Sequence, residues 1–284
     1  MKSASARLLG LGLALVVSGW LLPAGHATAG QVLDRVMKTK TLTMSSDPAY
    51  PPQSFLNDKN EFEGFDIDVG REIAKRLGAE LKVVTPAWEV ITAGKWGARW
   101  DISVGSMTPT AERARVLDFP AIYYFTPAAF AVHKDSKAKS IADLNGKVIG
   151  VCGGCTYEAY LKKELKIDAA GAPPFDYKVE PKEIRTYDTD TNAMDDLKIG
   201  DGKRLDAVLS ALPTINEAIK NGYPFRVVGE PVYYEPLAVA IDKGDPEFAA
   251  KIADIVKAMH DDGTLTKLSM KWYGVDLTRA KTSS

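Results

Sequence analysis

Apolar and polar positions follow two different periods along this chain, and the switch between them is the first sign of its architecture. Short apolar runs at 41–45, 80–85 and 101–105 read as strands, while Val69, Ile73 and Leu77, spaced four apart, give a helix over 65–77 one buried face. Gly78 is placed to end that helix. Before it, the prolines of DPAYPPQSF force an extended loop. A second set begins after a continuous apolar and aromatic passage at 121–132. There a strand at 147–151 runs into Cys152-Gly-Gly-Cys155 and a helix at 156–165, and a strand at 205–209 precedes Pro213 at a helix start. In the tail, Phe248, Ile252, Ile255, Val256 and Met259 share one stripe, and Leu265, Leu268 and Trp272 suit a final docking helix. Alternating strands and helices predict an α/β protein with sheets covered by helices. Residues 167–182, rich in Ala, Gly and Pro, read as a surface excursion.

Candidate chemistry concentrates in DISVGSMTPTAER, residues 101–113. Gly105 and Ser106 end the strand, and Thr108 and Thr110 are natural caps for a helix that TAERARVL would start. Free backbone N–H groups at that helix start would point where the Arg113 guanidinium points. Such a spot suits a carboxylate, because arginine donates paired hydrogen bonds and keeps its charge. A capped helix with an arginine in its first turn is also a common structural feature. The loop at the carboxyl end of a strand is, however, where open α/β sheets hold ligands, and CGGC followed by Thr156 offers a matching spot in the second half. A ligand between two lobes is expected.

Composition narrows the partners. The 284 residues carry a formal net charge of -1, which gives no electrostatic reason to expect nucleic acid or an anionic membrane surface. Residues 1–29 combine Lys2 and Arg7, an apolar stretch from Leu8 to Leu22 and the small residues Ala27-Thr28-Ala29, the pattern of a cleaved secretory signal. Gly10, Gly12, Ser18 and Gly19 interrupt the run, which falls short of the ~20 apolar residues of a membrane anchor. An exported, soluble, monomeric protein is expected, in an oxidising compartment where Cys152 and Cys155, the only cysteines, would pair. A redox role for CxxC is the alternative, and two thiolates are too few for a structural zinc site.

Six motifs in order, DPAYPP, EGFDIDVGREIAKRLG, GSMTPTAERARVLDFP, DLNGKVIGV, LDAVLS and DGTLTKLSMKWYG, resemble the polar-amino-acid class of periplasmic solute-binding proteins, the receptors of ABC importers. The resemblance spans roughly residues 42–275. It implies a two-lobe periplasmic-binding-protein fold with two crossing segments and the ligand in the interlobe cleft. Lobe one would hold 30–125 and 237–284, and lobe two 126–236. It implies no cofactor, no catalytic residue, a small carboxylate ligand such as an amino acid or derivative, and an inner-membrane ABC permease as partner. Carried over by position, Arg113 grips the ligand carboxylate with help from Thr108. Thr156 closes on it from lobe two, beside Cys155. Ser106 contacts the amino end, and Asp47, Tyr50 and Trp88 face the distal end. Trp88 could equally be a core tryptophan.

Two departures stand out. The class usually has an aspartate for the ligand's α-ammonium five residues past the aspartate of the DAV strand, and counting from Asp206 that position is Ala211. A buried ammonium without a partner costs several kcal/mol. Either Asp188 or Asp190 of TYDTDT substitutes, or the ligand lacks the ammonium; loop-forming acids are the plainer reading of both. CGGC replaces the more usual glycine-threonine pair. An enzyme of the periplasmic dehydratase type is the competing function, without a nameable general acid since Ala211 removes one. A sensory receptor would share the site and differ in partner.

Overall fold

The computed structural model describes residues 30–280, so the signal segment expected at 1–29 lies outside the described residues. In chain order the first half comprises α1 (Gln31–Thr39), β1 (Thr41–Ser45), β2 (Ala49–Tyr50), β3 (Ser54–Leu56), β4 (Phe62–Glu63), α2 (Phe65–Arg76), β5 (Glu80–Val84), α3 (Trp88–Thr92), β6 (Ile102–Met107) and β7 (Leu117–His133). There follow β8 (Val148–Cys152), α4 (Thr156–Leu161), β9 (Glu183–Tyr187), α5 (Asp190–Lys198), β10 (Ala207–Ala211), α6 (Leu212–Lys220), β11 (Phe225–Asp242), α7 (Pro246–Asp261) and α8 (Thr264–Tyr273). Among the described residues no helix is long and apolar enough to cross a membrane.

Eight strands form one sheet in the order β5-β1-β6-β11-β7-β10-β8-β9. Its two wings are parallel, β5-β1-β6 and β10-β8-β9, as crossover helices require. The centre is antiparallel: β11 and β7 pair from Asp242 opposite Leu117 to Phe225 opposite His133 and so run through both lobes. The apolar passage at 121–132 is therefore a crossing strand. Each wing has its own core. Phe65, Ile73, Tyr123, Val239, Phe248 and Ile252 pack in lobe one, with Trp96 and Trp100 beneath its other face. Phe130, Val151, Tyr160 and Leu209 pack on one face of lobe two, with Met194, Leu197 and Ile215 on the other.

Local chemistry sets the ends of these elements. Asp245 caps α7 by accepting the Phe248 N–H at 3.0 Å and also accepts the Gly30 and Val32 N–H groups at 2.8 and 2.9 Å, tying α1 to the returning tail. In α2, Asp66 and Asp68 occupy the first turn and Lys75 and Arg76 the last, the arrangement the helix dipole favours. The helix expected from TAERARVL is not present. Only a single 3-10 turn, Arg113–Arg115, forms before β7 begins. Pro120 disfavours helical geometry at Phe119, and the β-prone Val116-Leu117-Asp118-Phe119 continues directly into the crossing strand. The helix expected over 156–165 likewise stops at Leu161, with Lys163 at φ 62°. Residues 167–182 are irregular but not wholly superficial, since Val179 is buried in the lobe-two core. Eight elements had no separate expectation: α1, β2, β3, β4, α3, β9, α5 and β11.

Gly64 marks the tightest point in this scaffold. It sits at φ 127°, and a Cβ there would stand 2.2 Å from the Gln53 carbonyl oxygen. At Gly78, φ is 65° and nothing lies within 4 Å. Gly64→Ala is expected to destabilise the protein by more than about 3 kcal/mol in urea unfolding, against about 1 kcal/mol for Gly78→Ala.

Candidate functional site

The cleft lies between the carboxyl ends of β1 and β6 in lobe one and those of β8 and β10 in lobe two. Asp47, Tyr50, Trp88, Ser106, Thr108, Arg113, Cys152, Cys155, Thr156, Asp188 and Asp190 all line it, together with Tyr157 and Glu235. The loop after β1 supplies Asp47 and Tyr50, while the loop after β6 supplies Thr108 and Arg113. Across the cleft, β8 ends in the bridged Cys152 and Cys155, and α5 opens with Asp190.

Arg113 is 8 % exposed, and its hydrogen bonds go to main-chain oxygens. Nη1 donates to the Thr108 carbonyl at 3.0 Å and Nη2 to the Gly154 carbonyl of lobe two at 2.9 Å. Trp88 stacks near it, 5.2 Å from ring centre to Cζ, and its Nε1 donates to the same Gly154 oxygen at 3.3 Å. Among the described residues no carboxylate comes within 4.0 Å of the guanidinium. Burial lowers the Arg113 pKa to about 10. A buried cation held by neutral carbonyls is an anion site in waiting.

Glu235, on β11, was not among the residues anticipated. It is 3 % exposed, and one oxygen accepts the Thr108 hydroxyl at 2.9 Å from lobe one and the Thr156 hydroxyl from lobe two. Burial pushes its pKa up, against the lowering pull of these hydroxyls. Thr108 and Thr156 therefore converge as anticipated in position, but their hydroxyls already hold a protein carboxylate. An acid beside the prolines and tyrosines of PVYYEPLAV gave only a weak signal; the cue was a charge inside an otherwise apolar strand.

The remaining residues divide by partner. Ser106 stands in the left-handed region at φ 53° and is clamped there. Its Oγ donates to Asp66 at 2.7 Å and meets the Tyr124 hydroxyl, while its N–H donates at 2.9 Å to Tyr123, whose own hydroxyl donates to Asp66 at 2.7 Å. That hydroxyl is thus committed to the core side of the cleft. Asp47 accepts the Ala49 N–H at 2.7 Å and its pKa is raised by burial. Asp190 is 7 % exposed, accepts the Ser210 hydroxyl next to Ala211, and burial raises its pKa to about 7. Asp188 lies at the cleft wall and is exposed. Direct bonds also join the lobes: Gln53 Nε2 donates to Thr214 Oγ1 at 3.0 Å, the Tyr50 and Tyr157 hydroxyls meet at 3.3 Å, and Thr191 donates to the Ala49 carbonyl at 2.7 Å.

Two lobes spanned by paired strands, closing on a buried cation and several acids, define a ligand-capturing protein of the two-lobe α/β type. Residues 42–275 match the bacterial extracellular solute-binding proteins, family 3, and the chain belongs to that family. It is 30% identical over 251 residues to the L-cystine-binding protein TcyJ of Escherichia coli (strain K12), covering 87% of this chain and 88% of that one. It is 29% identical to the ABC transporter arginine-binding protein 1 of the same strain, over 79% of this chain and 87% of that one. Among solved structures, an ancestral arginine-binding protein bound to arginine superposes with a TM-score of 0.71 at 31% identity, covering 83% of this chain and 99% of that chain. An ancestral amino acid-binding protein, a precursor of cyclohexadienyl dehydratase, gives 0.72 at 32% identity over 85% and 99%.

Two buried acids give the site a pH signature. Burial raises Asp66 and Asp190 from 3.8 to about 7, so between those values the folded protein holds protons that the unfolded chain has released. Their contribution is fully present below the lower value and is lost as pH rises through the upper one. The ligand-free protein is expected to lose melting temperature from about pH 5 to about pH 8 less steeply in Asp190→Asn than in the wild type, as followed by calorimetry.

Proposed function

We propose that this protein is the periplasmic binding component of an ABC importer, delivered through the signal at 1–29, and that it captures an α-amino acid between its lobes. The observation that carries the reading is Arg113, a buried guanidinium satisfied by two carbonyls and open to an incoming carboxylate. Asp190 is the acid for the α-ammonium. Its hydrogen bond to Ser210, beside Ala211, supports this choice over Asp188, and a ligand cation would draw its raised pKa back down. Binding performs no chemistry; closure follows from differential affinity for the closed state.

Charge balance narrows the ligand class. Asp47, Asp188, Asp190 and Glu235 line the cleft against the single cation Arg113, and a ligand cation beside the buried acids would draw their raised pKa values down and so bring out their charge. An amino acid with one carboxylate and a second positive group offsets more of that excess than a neutral one, and an acidic amino acid adds to it. Basic amino acids are therefore the first candidates, with Trp88 flanking the side chain.

A thermal-shift screen tests this, since a tight ligand stabilises by RT ln(1 + [L]/Kd). Arginine, lysine and ornithine are expected to raise the melting temperature, glutamate and des-amino analogues not to. Arg113→Ala is expected to abolish binding with the fold intact, a loss of about 3–5 kcal/mol, and Arg113→Lys to fail nearly as badly because a point charge lacks the paired donors. Wild-type affinity in either variant by calorimetry would refute the carboxylate assignment. Asp190→Asn should weaken amino-acid binding and abolish its decline below about pH 7. Prephenate or arogenate incubated with the protein should be recovered unchanged by mass spectrometry; turnover would make Glu235 the acid to examine.

A further inference from the structure

The Cys152–Cys155 bridge forms part of the cleft wall. Closing so short a loop adds little stability through chain entropy, so its position calls for another explanation. Between the two cysteines, Gly154 stands at φ 69° and turns its carbonyl toward lobe one. That one oxygen accepts Arg113 Nη2 at 2.9 Å and Trp88 Nε1 at 3.3 Å. On the other side, the Asp190 carboxylate lies within 4.8 Å of both sulfur atoms. The bridge thus adjoins both groups assigned above to the ends of an α-amino acid.

We propose that this disulfide is a redox site coupled to ligand capture through Gly154; the proposal rests on the cleft being the amino-acid site. Oxidised, the closed loop holds the Gly154 carbonyl against Arg113 and Trp88 and fixes the anchor. Reduction separates sulfur atoms that were bonded, the loop relaxes, and the carbonyl leaves Arg113. The reductant is a dithiol. Its thiolate attacks Sγ of Cys155, which is more exposed than the nearly buried Cys152, and the sulfur–sulfur bond breaks with Cys152 leaving as a thiolate that takes a proton. The second thiol of the dithiol then attacks the mixed disulfide and releases Cys155 as a thiol. Two electrons and two protons pass to the bridge, and the dithiol ends as its own disulfide. Linkage makes the effect reciprocal: a ligand that binds the oxidised form tenfold more tightly makes the bridge tenfold harder to reduce, a shift of about 30 mV.

The test equilibrates the mature protein in reduced and oxidised dithiothreitol, with and without saturating L-arginine, and counts free thiols by alkylation and intact mass. L-Arginine is expected to lower the midpoint by about 30 mV or more, and calorimetry to give at least about tenfold weaker binding to the reduced protein. The double variant Cys152→Ser with Cys155→Ser should bind like reduced protein while melting within a few degrees of the wild type. Equal affinity in both redox states, an unmoved midpoint, or a double variant that binds like oxidised protein would each overturn the proposal. A ligand-free arm separates it from the functional reading. Reduction should change indole fluorescence through Trp88, and the change should vanish in Trp88→Phe. If L-arginine fails to bind oxidised protein, the functional reading loses its first candidate, and an unchanged Trp88 signal on reduction still refutes the coupling.

Discussion

The antiparallel pairing of β7 with β11 is the constraint on which the cleft depends. Each strand begins in one lobe and ends in the other, and their ladder continues across the junction with Glu235 opposite Thr126. Backbone groups in the connection are therefore paired rather than exposed, which makes it far stiffer than two loose linkers. The same pairing sets the floor of the cleft. Because side chains alternate along a strand, fixing this register fixes which side of the floor Glu235 takes, between the threonines of the two lobes.

That floor is costly to fold. Arg113, Asp66, Asp190 and Glu235 are all withdrawn from water, and burial is the first cause of the shifted pKa in every case. Stability comes instead from the apolar cores on either side, where Phe65, Val239, Ile252 and their counterparts in lobe two are fully enclosed. Ser106 carries the same signature: a non-glycine residue at positive φ, retained by a clamp of one aspartate and two tyrosines. Desolvated charge is thus concentrated at and just behind the cleft.

Much of this was legible in the residues. Regular periods located β1, α2, β5, β6, β8, β10 and the tail helices to within a few positions, because each has one face committed to a core. The two-lobe α/β architecture followed from their order and from the six motifs. What could not be read has identifiable causes. The TAERARVL segment has good helix formers, yet Pro120 and its apolar neighbours draw the chain into β7, so tertiary pairing overrides local propensity. Glu235 was missed because an acid in a strand looks like a solvent-facing position until the partner strand is known. The candidate residues from Asp47 to Asp190 do line one cleft, but their partners were unforeseen, since hydroxyl direction at Ser106, Thr108 and Thr156 depends on Asp66 and Glu235, which are distant in sequence.

The direct contacts between the lobes have a kinetic side. Gln53 with Thr214, Tyr50 with Tyr157 and Thr191 with Ala49 all have to part before a molecule can reach Arg113. These contacts belong to the closed arrangement that encloses a solute, so each holds the bound state together as well as guarding its entrance. Loosening the Gln53–Thr214 contact, whose partners do not line the cleft, would therefore speed both entry and escape and weaken capture, and the affinity of this receptor is set partly by residues remote from its anchor.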